Sequence, residues 1–597
     1  MMSGSVSRVR GELASAVAVA LARHGLEGVD VVLERPSRHE HGDWSTNVAL
    51  VNAKRVGRAP RELATALAED LALNSPDYVR RTELAGPGFV NFFLDPMWLH
   101  EFVVQVVAAG VHGFGRAESG HRRVNVEFVS ANPTGPVHAG HARGAAYGDS
   151  LARILERRGC VVTREFYIND RGTQMATFAQ SLAARSRGEE PPADGYLGGY
   201  IADWAARMPD GADPLEYGYS TALADQRQAL GRFGVLFDVW FSERSMVDSG
   251  AIDATLRDLR DRGVVYDADG ATWLRSTDFG DDKDRVLVRS DGEATYLLPD
   301  IAYHRDKWSR GFDTLIDVWG ADHHGYVPRM RAAMAALGHD ADSMEFAITQ
   351  LVTLERNGVE VKLSKRSGDL VTLDELIDEV GADAARFTYL SQSIDSRQTV
   401  DLALLAQRSM DNPVFYVQYA HARVCSLARV AESRGIQRRP LAEVDLGRLV
   451  SDRELELIRI LERFDDELSL AVTTRAPHRV AAWVRELAAA FHGFYHDCPI
   501  LAEGVDPDLA QARWWLAEAA RVGIAVALNL LGVTAPESMN PVGGPEEGNQ
   551  EGDPEEGNPV GDPEQGGPEE GGPGEGGPGE GGPGEGSAEP DDVRSAP

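Results

Sequence analysis

Three cysteines in 597 residues, Cys160, Cys425 and Cys498, are too few and too scattered for a disulfide framework or a zinc cage, and they point to a reducing compartment. Long hydrophobic runs are also missing. The one stretch that imitates a signal peptide, residues 13–21 behind Arg8 and Arg10, is interrupted by Glu12. Because Val6, Val9, Leu13, Val17 and Leu21 fall at helical spacing, this stretch reads as an amphipathic helix of a folded domain. No membrane span and a cytoplasmic location are the expectations. Positive charge is scarce, with 60 lysines and arginines against 93 acids and a net charge of −33. A uniformly acidic surface would repel a nucleic acid, so any such partner needs local basic clusters. The adjacent pairs Arg80-Arg81, Arg122-Arg123 and Arg438-Arg439 are candidates. Residues 540–597 hold about −15 of the charge in Gly, Pro and Glu repeats without hydrophobic periodicity, the composition of a disordered acidic tail.

What is present is a strand, a glycine and proline turn, and a helix. Val124, Val126 and Phe128 alternate with polar residues, Pro133 to Pro136 make the turn, and a helix is expected to open near Ala139. Its free N–H groups and positive dipole end suit an anion. Leu151, Ile154 and Leu155 continue the helix to Arg158, Gly159 stops it, and residues 161–168 read as a second strand. The unit is half of a doubly wound nucleotide-binding sheet with a right-handed crossover. His138 and His141 share a helix face, as metal ligands do, but no Glu-x-x-His partner follows them. Gly140 between them and the approach through Thr134 favour phosphate contacts, and no metal site is expected.

His138-Ala139-Gly140-His141 resembles the HIGH signature of class I aminoacyl-tRNA synthetases, and Lys362-Leu363-Ser364-Lys365-Arg366 resembles their KMSKS loop. Leu363 and Arg366 depart from that signature while both lysines remain. Further segments narrow the likeness to arginyl-tRNA synthetases: residues 128–136, 167–170, 278–285, 296–300 and 319–326. The resemblance covers about residues 5–539. It implies that arginine is activated by ATP to arginyl-adenylate and passed to the 3′ end of tRNA(Arg), with Mg²⁺ accompanying the nucleotide. His138, His141, Lys362 and Lys365 would act on the phosphates, while Thr134, Gly140 and Asp322 complete the ATP contacts. It also implies that Glu127 adds a carboxylate to the arginine site and that Asn132 meets the α-ammonium.

The side chains agree independently. A guanidinium cannot lose its proton and pairs bidentately with carboxylates. Tyr296 and Asp300, four apart, would offer acceptors on one face, although Asp300 is also placed to cap a helix at Ile301. Lysine would leave such carboxylates partly unpaired, which allows its rejection without editing.

The expected architecture is multidomain α/β: a small α+β N-terminal domain (1–115), a Rossmann-type parallel-sheet catalytic domain (116–400, with an insertion at about 181–290), an all-α anticodon-binding domain (401–539), and the tail (540–597). Strands are expected at residues 29–33 and 88–94. By resemblance, residues 42–49 meet the tRNA elbow. An exposed Trp44 would stack on a base beside Asn47, and a buried one would belong to the core. Tyr416, Tyr419 and His421 are either anticodon contacts or ordinary packing residues. A monomer is expected. Two alternatives stay open, a ligase for another amino acid and a noncatalytic RNA-binding paralogue.

Overall fold

The alternation around residue 124 builds a strand whose apolar side chains, Val124 and Val126, are buried together with Phe128 just beyond it. This strand, β1 (Arg123–Glu127), is central in a five-stranded parallel sheet with β2 (Val161–Ile168), β3 (Val239–Ser242), β4 (Thr314–Gly320) and β5 (Met344–Thr349). The computed structural model describes residues 6–36, 38–117, 120–361 and 371–539. The strand order β3-β2-β1-β4-β5 is that of a doubly wound nucleotide fold. It reverses between β1 and β4, so a ligand belongs beyond their carboxyl ends.

Helix α1 (Ala142–Arg157) crosses from β1 to β2. It is preceded by a 3-10 turn, Ala139–His141, where a continuous helix was expected, because the Gly140 N–H turns back to His138 Nδ1. Gly148 brings α1 flush against the sheet: a Cβ there would lie 2.2 Å from the Phe128 ring. Residues 181–290 are not one uninterrupted insertion, since β3 returns from them to the central sheet. The rest of that stretch includes α3 (Pro214–Arg232) and strands of a small antiparallel sheet, Val265–Ala268, Ala271–Leu274 and Arg285–Val288. Helix α2 (Thr173–Ser186) packs on α3. Helix α4 (Leu297–Ser309) leads into β4, and α5 (Leu373–Val380) opens on a Thr372/Glu375 capping box.

In the N-terminal region helix Val6–Arg23 buries Val9, Leu13, Val17 and Leu21, as the spacing requires. Phe89–Leu94 lies between Val79–Ala85 and Trp44–Thr46 in an antiparallel sheet. Residues 29–33 do not form the expected strand; pairing is confined to Glu34, which exchanges two 2.8 Å backbone hydrogen bonds with Ser45. Beyond residue 401 the chain is helical, with Pro413–Ser433, Asp452–Glu462, Phe464–Thr473, His478–Asp497 and Pro507–Leu531 packed together. The last of these is long and apolar enough to cross a membrane, contrary to the sequence reading, yet 78% of its apolar window is buried within the protein.

Arg386, fully buried, joins three parts of the chain. Its guanidinium donates to Leu531 O (3.0 Å), Phe233 O (3.0 Å) and Asp149 Oδ2 (2.5 Å). The end of the last helix is thereby fixed to α1, the helix that starts at the histidine turn.

Candidate active site

The histidine turn is built so that one imidazole has a defined proton. Gly140 N–H donates to His138 Nδ1 at 2.8 Å, so the neutral ring carries its hydrogen on Nε2. A Cβ on Gly140 would sit 2.8 Å from that Nδ1, which explains the glycine between the histidines. The His138 and His141 rings lie 6.3 Å apart and nearly perpendicular, a spacing that lets both face one polyphosphate.

The turn is held from outside by the chain around residue 371. Ala139 N–H donates to Val371 O (2.9 Å), Leu373 N–H donates to Val137 O (2.8 Å), and Thr372 bridges to His138. Lys362 and Lys365 lie outside the described residues. In the hairpin before them Val352–Arg356 pairs with Val359–Glu360 across Asn357 and Gly358, both at positive φ.

Between β1 and the turn the backbone is strained. Val129 (φ 71°) and Ser130 (φ 41°) occupy the left-handed region, where a β-branched residue is an outlier. The strain aims the Ser130 hydroxyl, which donates to Glu127 Oε1 (2.9 Å) and accepts from Tyr167 N–H (3.1 Å). The other Glu127 oxygen meets a fully buried ammonium: Lys307 Nζ is 2.5 Å from Glu127 Oε2 and 2.8 Å from Asp317 Oδ1. His304 Nε2 bonds Asp317 Oδ2 at 2.7 Å. Burial opposes charge on Lys307, but the surrounding carboxylates outweigh it and hold the ammonium protonated. Glu127, His304 and Asp317 would otherwise group as metal ligands; Lys307 supplies their positive charge.

Helix α4 delivers these groups with one polar face: Asp300, Tyr303, His304 and Lys307 follow i, i+3, i+4, i+7. Of this face, only Asp300 is among the residues marked by the sequence. The polar residues at a core-facing helical spacing were the signal for the others. Tyr303 OH and Arg310 both donate to buried Glu165, Arg310 bidentately at 2.7 and 2.8 Å.

Asp300 is in the first turn of α4 and not its cap, a position held by Tyr296. The phenol that meets it is Tyr326, donating to Oδ2 at 2.6 Å. Tyr296 does not join the expected pair on one face; it stands 85% exposed at the rim, and its carbonyl accepts the Asp300 N–H. Burial pushes the Asp300 carboxyl up to about 6, against the lowering effect of the Tyr326 hydrogen bond. A further carboxylate, Glu243, follows β3 directly, bonds Tyr167 and interacts electrostatically with Asp300. Burial raises it too. No local pattern in the sequence marks Glu243, because its place in the site depends on β3 lying beside β2.

The remaining candidates line the same end of the sheet. Asn132 is exposed, with its Nδ2 donating to Gln174 Oε1 (2.7 Å). Thr134 is buried, and its carbonyl accepts from Tyr200 OH at 2.9 Å. Gln226 clamps the turn by donating to Asn132 O (3.0 Å) and Gly135 O (2.9 Å). Asp322 follows β4 in the 3-10 turn Ala321–Tyr326, with an exposed carboxylate near His323.

Trp44 belongs to the core. It is 1% exposed, so it cannot stack on a base; Arg35 lies over its ring at 4.2 Å and reaches on to Glu462 and Asp466 of the C-terminal helices. Asn47 is half-buried at the start of helix Val48–Asn52 and does not use its side chain as a cap. His421 is also buried, bonded through Nδ1 to Pro536 O (2.9 Å), whereas Tyr416 and Tyr419 are half-buried beside His492.

Comparison with known proteins agrees with this geometry along the whole described chain. Residues 9–94 match the arginyl tRNA synthetase N terminal domain, 103–191 and 221–397 the catalytic domain of class I (R) tRNA synthetases, and 417–539 the DALR anticodon binding domain. An arginine–tRNA ligase of Desulforamulus reducens is 44% identical, covering 90% of this chain and all of the relative. One from Syntrophotalea carbinolica is 46% identical over 85% of this chain and 95% of its own length. The solved Thermus thermophilus arginyl-tRNA synthetase has the same fold, with a TM-score of 0.71 at 23% identity over 89% of this chain and all of that one. A Rossmann sheet with a histidine turn at its switch point, carboxylates at the same end and this extent of likeness lead to one conclusion: the chain belongs to the arginyl-tRNA synthetase family and is a class I arginine–tRNA ligase.

Proposed function

We propose that arginine and ATP meet beyond the carboxyl ends of β1 and β4, with the amino acid on the α4 side and the nucleotide on the histidine side. The observation that carries this is the clustering of Asp300 and Glu243 with phenols at the end of the sheet where the histidine turn opens. Asp300 and Glu243 receive the guanidinium, Tyr296 closes over it from the rim, and Asn132 accepts from the α-ammonium. Glu127, held by Lys307 and Ser130, sets the negative field of the site and keeps Asn132's turn in place.

An oxygen of the arginine carboxylate bonds to the α-phosphorus of ATP as the bond to the leaving pyrophosphate breaks. The Nε2–H of His138 and the His141 imidazole donate to the phosphates as charge builds, with Thr134 and Gly140 shaping the turn and Asp322 meeting the ribose. Lys362 and Lys365 neutralise the pyrophosphate. A terminal ribose hydroxyl of tRNA(Arg) then attacks the arginyl carbonyl, AMP leaves, and the hydroxyl proton passes to the departing phosphate. Both steps depend on positioning and charge more than on covalent catalysis by the protein. Bound with the triphosphate, Mg²⁺ would supply charge neutralisation there. The buried Glu127, His304 and Asp317 group is already matched to Lys307 and would not be the group that holds it.

We further infer domains at 1–115, 116–400, 401–539 and 540–597, with Asn47 on the tRNA-facing side of the first, and a cytoplasmic monomer. The test is ATP–pyrophosphate exchange with each amino acid, with and without tRNA. Exchange with arginine alone is expected, and exchange driven equally by lysine would overturn the assignment of the carboxylates. His141→Ala should lower the exchange rate about a hundredfold or more, on the order of 3 kcal/mol, while tRNA affinity and thermal midpoint stay put. Unchanged exchange would remove His141 from the nucleotide side.

A further inference from the structure

The arginine pairs picked out by sequence as polyanion contacts are largely consumed by the fold. Arg81 is paired with Glu83, Arg438 with Glu518 and Arg439 with Asp508. Arg122 donates to Thr314 Oγ1, and Arg123 to Arg310 O. A different segment stands out once ion pairs are considered. Residues 47–61 contain Lys54, Arg55, Arg58 and Arg61 and no acid at all, in a chain of net charge −33. All four are exposed, and among the described residues no carboxylate lies within ion-pair distance of any of them.

These charges do nothing evident for the fold. Lys54 and Arg55 belong to the 3-10 turn Ala53–Val56, which Gly57 ends at φ 64°. Arg58 precedes helix Pro60–Asn74 and Arg61 sits in its first turn, the end of a helix where a cation is disfavoured by the dipole. Arg55 makes one bond, to Asn52 Oδ1 at 3.0 Å. The nearest acid in sequence, Glu62, accepts from the Ala59 N–H at the start of the helix (3.3 Å). The segment is held rigid from beneath: Gly88 of the 86–88 hairpin turn is so close that a Cβ there would lie 3.1 Å from Pro60 Cβ and 3.2 Å from Leu50 N. Leu50 and Val51, between Asn47 and the cations, are exposed as well.

We propose that Lys54, Arg55, Arg58 and Arg61 form a phosphate-backbone contact for tRNA on the N-terminal domain, next to Asn47. The proposal rests on the reading that this domain faces the tRNA. Charge complementarity carries it: an acidic enzyme must hold a polyanion, and this surface offers four cations that no internal carboxylate neutralises. Contacts to phosphates position the RNA without reading its sequence, and Lys54 and three guanidiniums on a short rigid segment can follow a run of successive phosphates.

The test uses the full-length enzyme carrying Lys54→Gln, Arg55→Gln, Arg58→Gln and Arg61→Gln together, and measures tRNA(Arg) binding over a salt series. Each lost phosphate contact makes the slope of log K against log salt shallower by about 0.7, so a loss of about 2 to 3 is expected. The KM for tRNA should rise about tenfold or more at low salt with kcat at saturating tRNA retained. A second variant, Arg55→Lys, Arg58→Lys and Arg61→Lys, keeps the charge and must keep the slope even if the glutamine variant is less stable. If Asn47→Ala raises the KM for tRNA but the glutamine variant leaves slope and KM unchanged, the phosphate contact is overturned and the domain reading stands. If neither variant changes tRNA binding, both are overturned.

Discussion

An ammonium with no exposed surface keeps its charge at Lys307 because Glu127 and Asp317 meet it from two strands, and His304 and Ser130 occupy the carboxylate oxygens it does not use. Such a group is cheap to keep and costly to break. Lys307→Met leaves two buried carboxylates facing each other and should destabilise the enzyme by about 3 to 5 kcal/mol, measured by urea unfolding. A smaller loss would mean that the acids become protonated at little cost. Asp300 makes a prediction about activity. Its carboxyl is raised to about 6 by burial, and as the proposed guanidinium partner it must be ionised, so kcat/KM for arginine should fall about tenfold per pH unit below about 6. In Asp300→Asn that decline should vanish, and kcat/KM should drop about a hundredfold, on the order of 3 kcal/mol. A pH profile unchanged in the variant would assign the titration to another group.

Single elements show why parts of the site were readable in advance and parts were not. The strand, turn and helix from residue 124 to 158 carry their information locally, in a period of two, a glycine and proline break, and a period of near four. The strand at 161–168 was legible for the same reason. Helix α4 was harder, because Tyr303, His304 and Lys307 are polar and read as a solvated face until the sheet is seen to present Glu127, Glu165 and Asp317 to them. Glu243 and Tyr326 approach Asp300 from the segments that follow β3 and β4, a meeting that no local pattern encodes. Trp44 misled for a related reason: the cation above it comes from Arg35, and that arginine is itself anchored by Glu462 on a distant helix. At the end of the last helix, Gly532 has φ 66°, and a Cβ there would lie 2.1 Å from Arg386 Nη2. Gly532→Ala should therefore cost about 3 kcal/mol or more, since it displaces a buried guanidinium as well as straining the backbone. Gly504→Ala, at φ 84° with open space around it, should cost only about 1 kcal/mol. Equal losses in thermal unfolding would show that backbone strain alone matters at residue 532.

Across the whole molecule the N-terminal region and the C-terminal helices are coupled by charge. Arg35 bonds Glu462 at 2.5 Å, Arg10 bonds Asp466 at 3.0 Å, and Arg459 lies 3.6 Å from Asp43. Burial pushes the Glu462 carboxyl up to about 7 even though Arg35 pulls it down. The folded protein thus holds this proton more tightly than the unfolded chain does. Its contribution to stability is complete below the ordinary carboxylate range and is lost as pH rises towards about 7, by up to about 3 kcal/mol. Glu462→Gln should flatten that part of the stability–pH curve, and a wild-type curve that rises over the same interval would contradict the assignment.

The Arg386 junction also bears on synthesis. A chain emerging from the ribosome presents β1 and the histidine turn early, yet α1 is fixed only when the carbonyls of Leu530 and Leu531 reach Ser150 and Arg386. Nascent chains that already display the nucleotide turn therefore lack its final support. The helix that starts at the nucleotide turn thus reaches its finished surroundings only after residue 531 has been made.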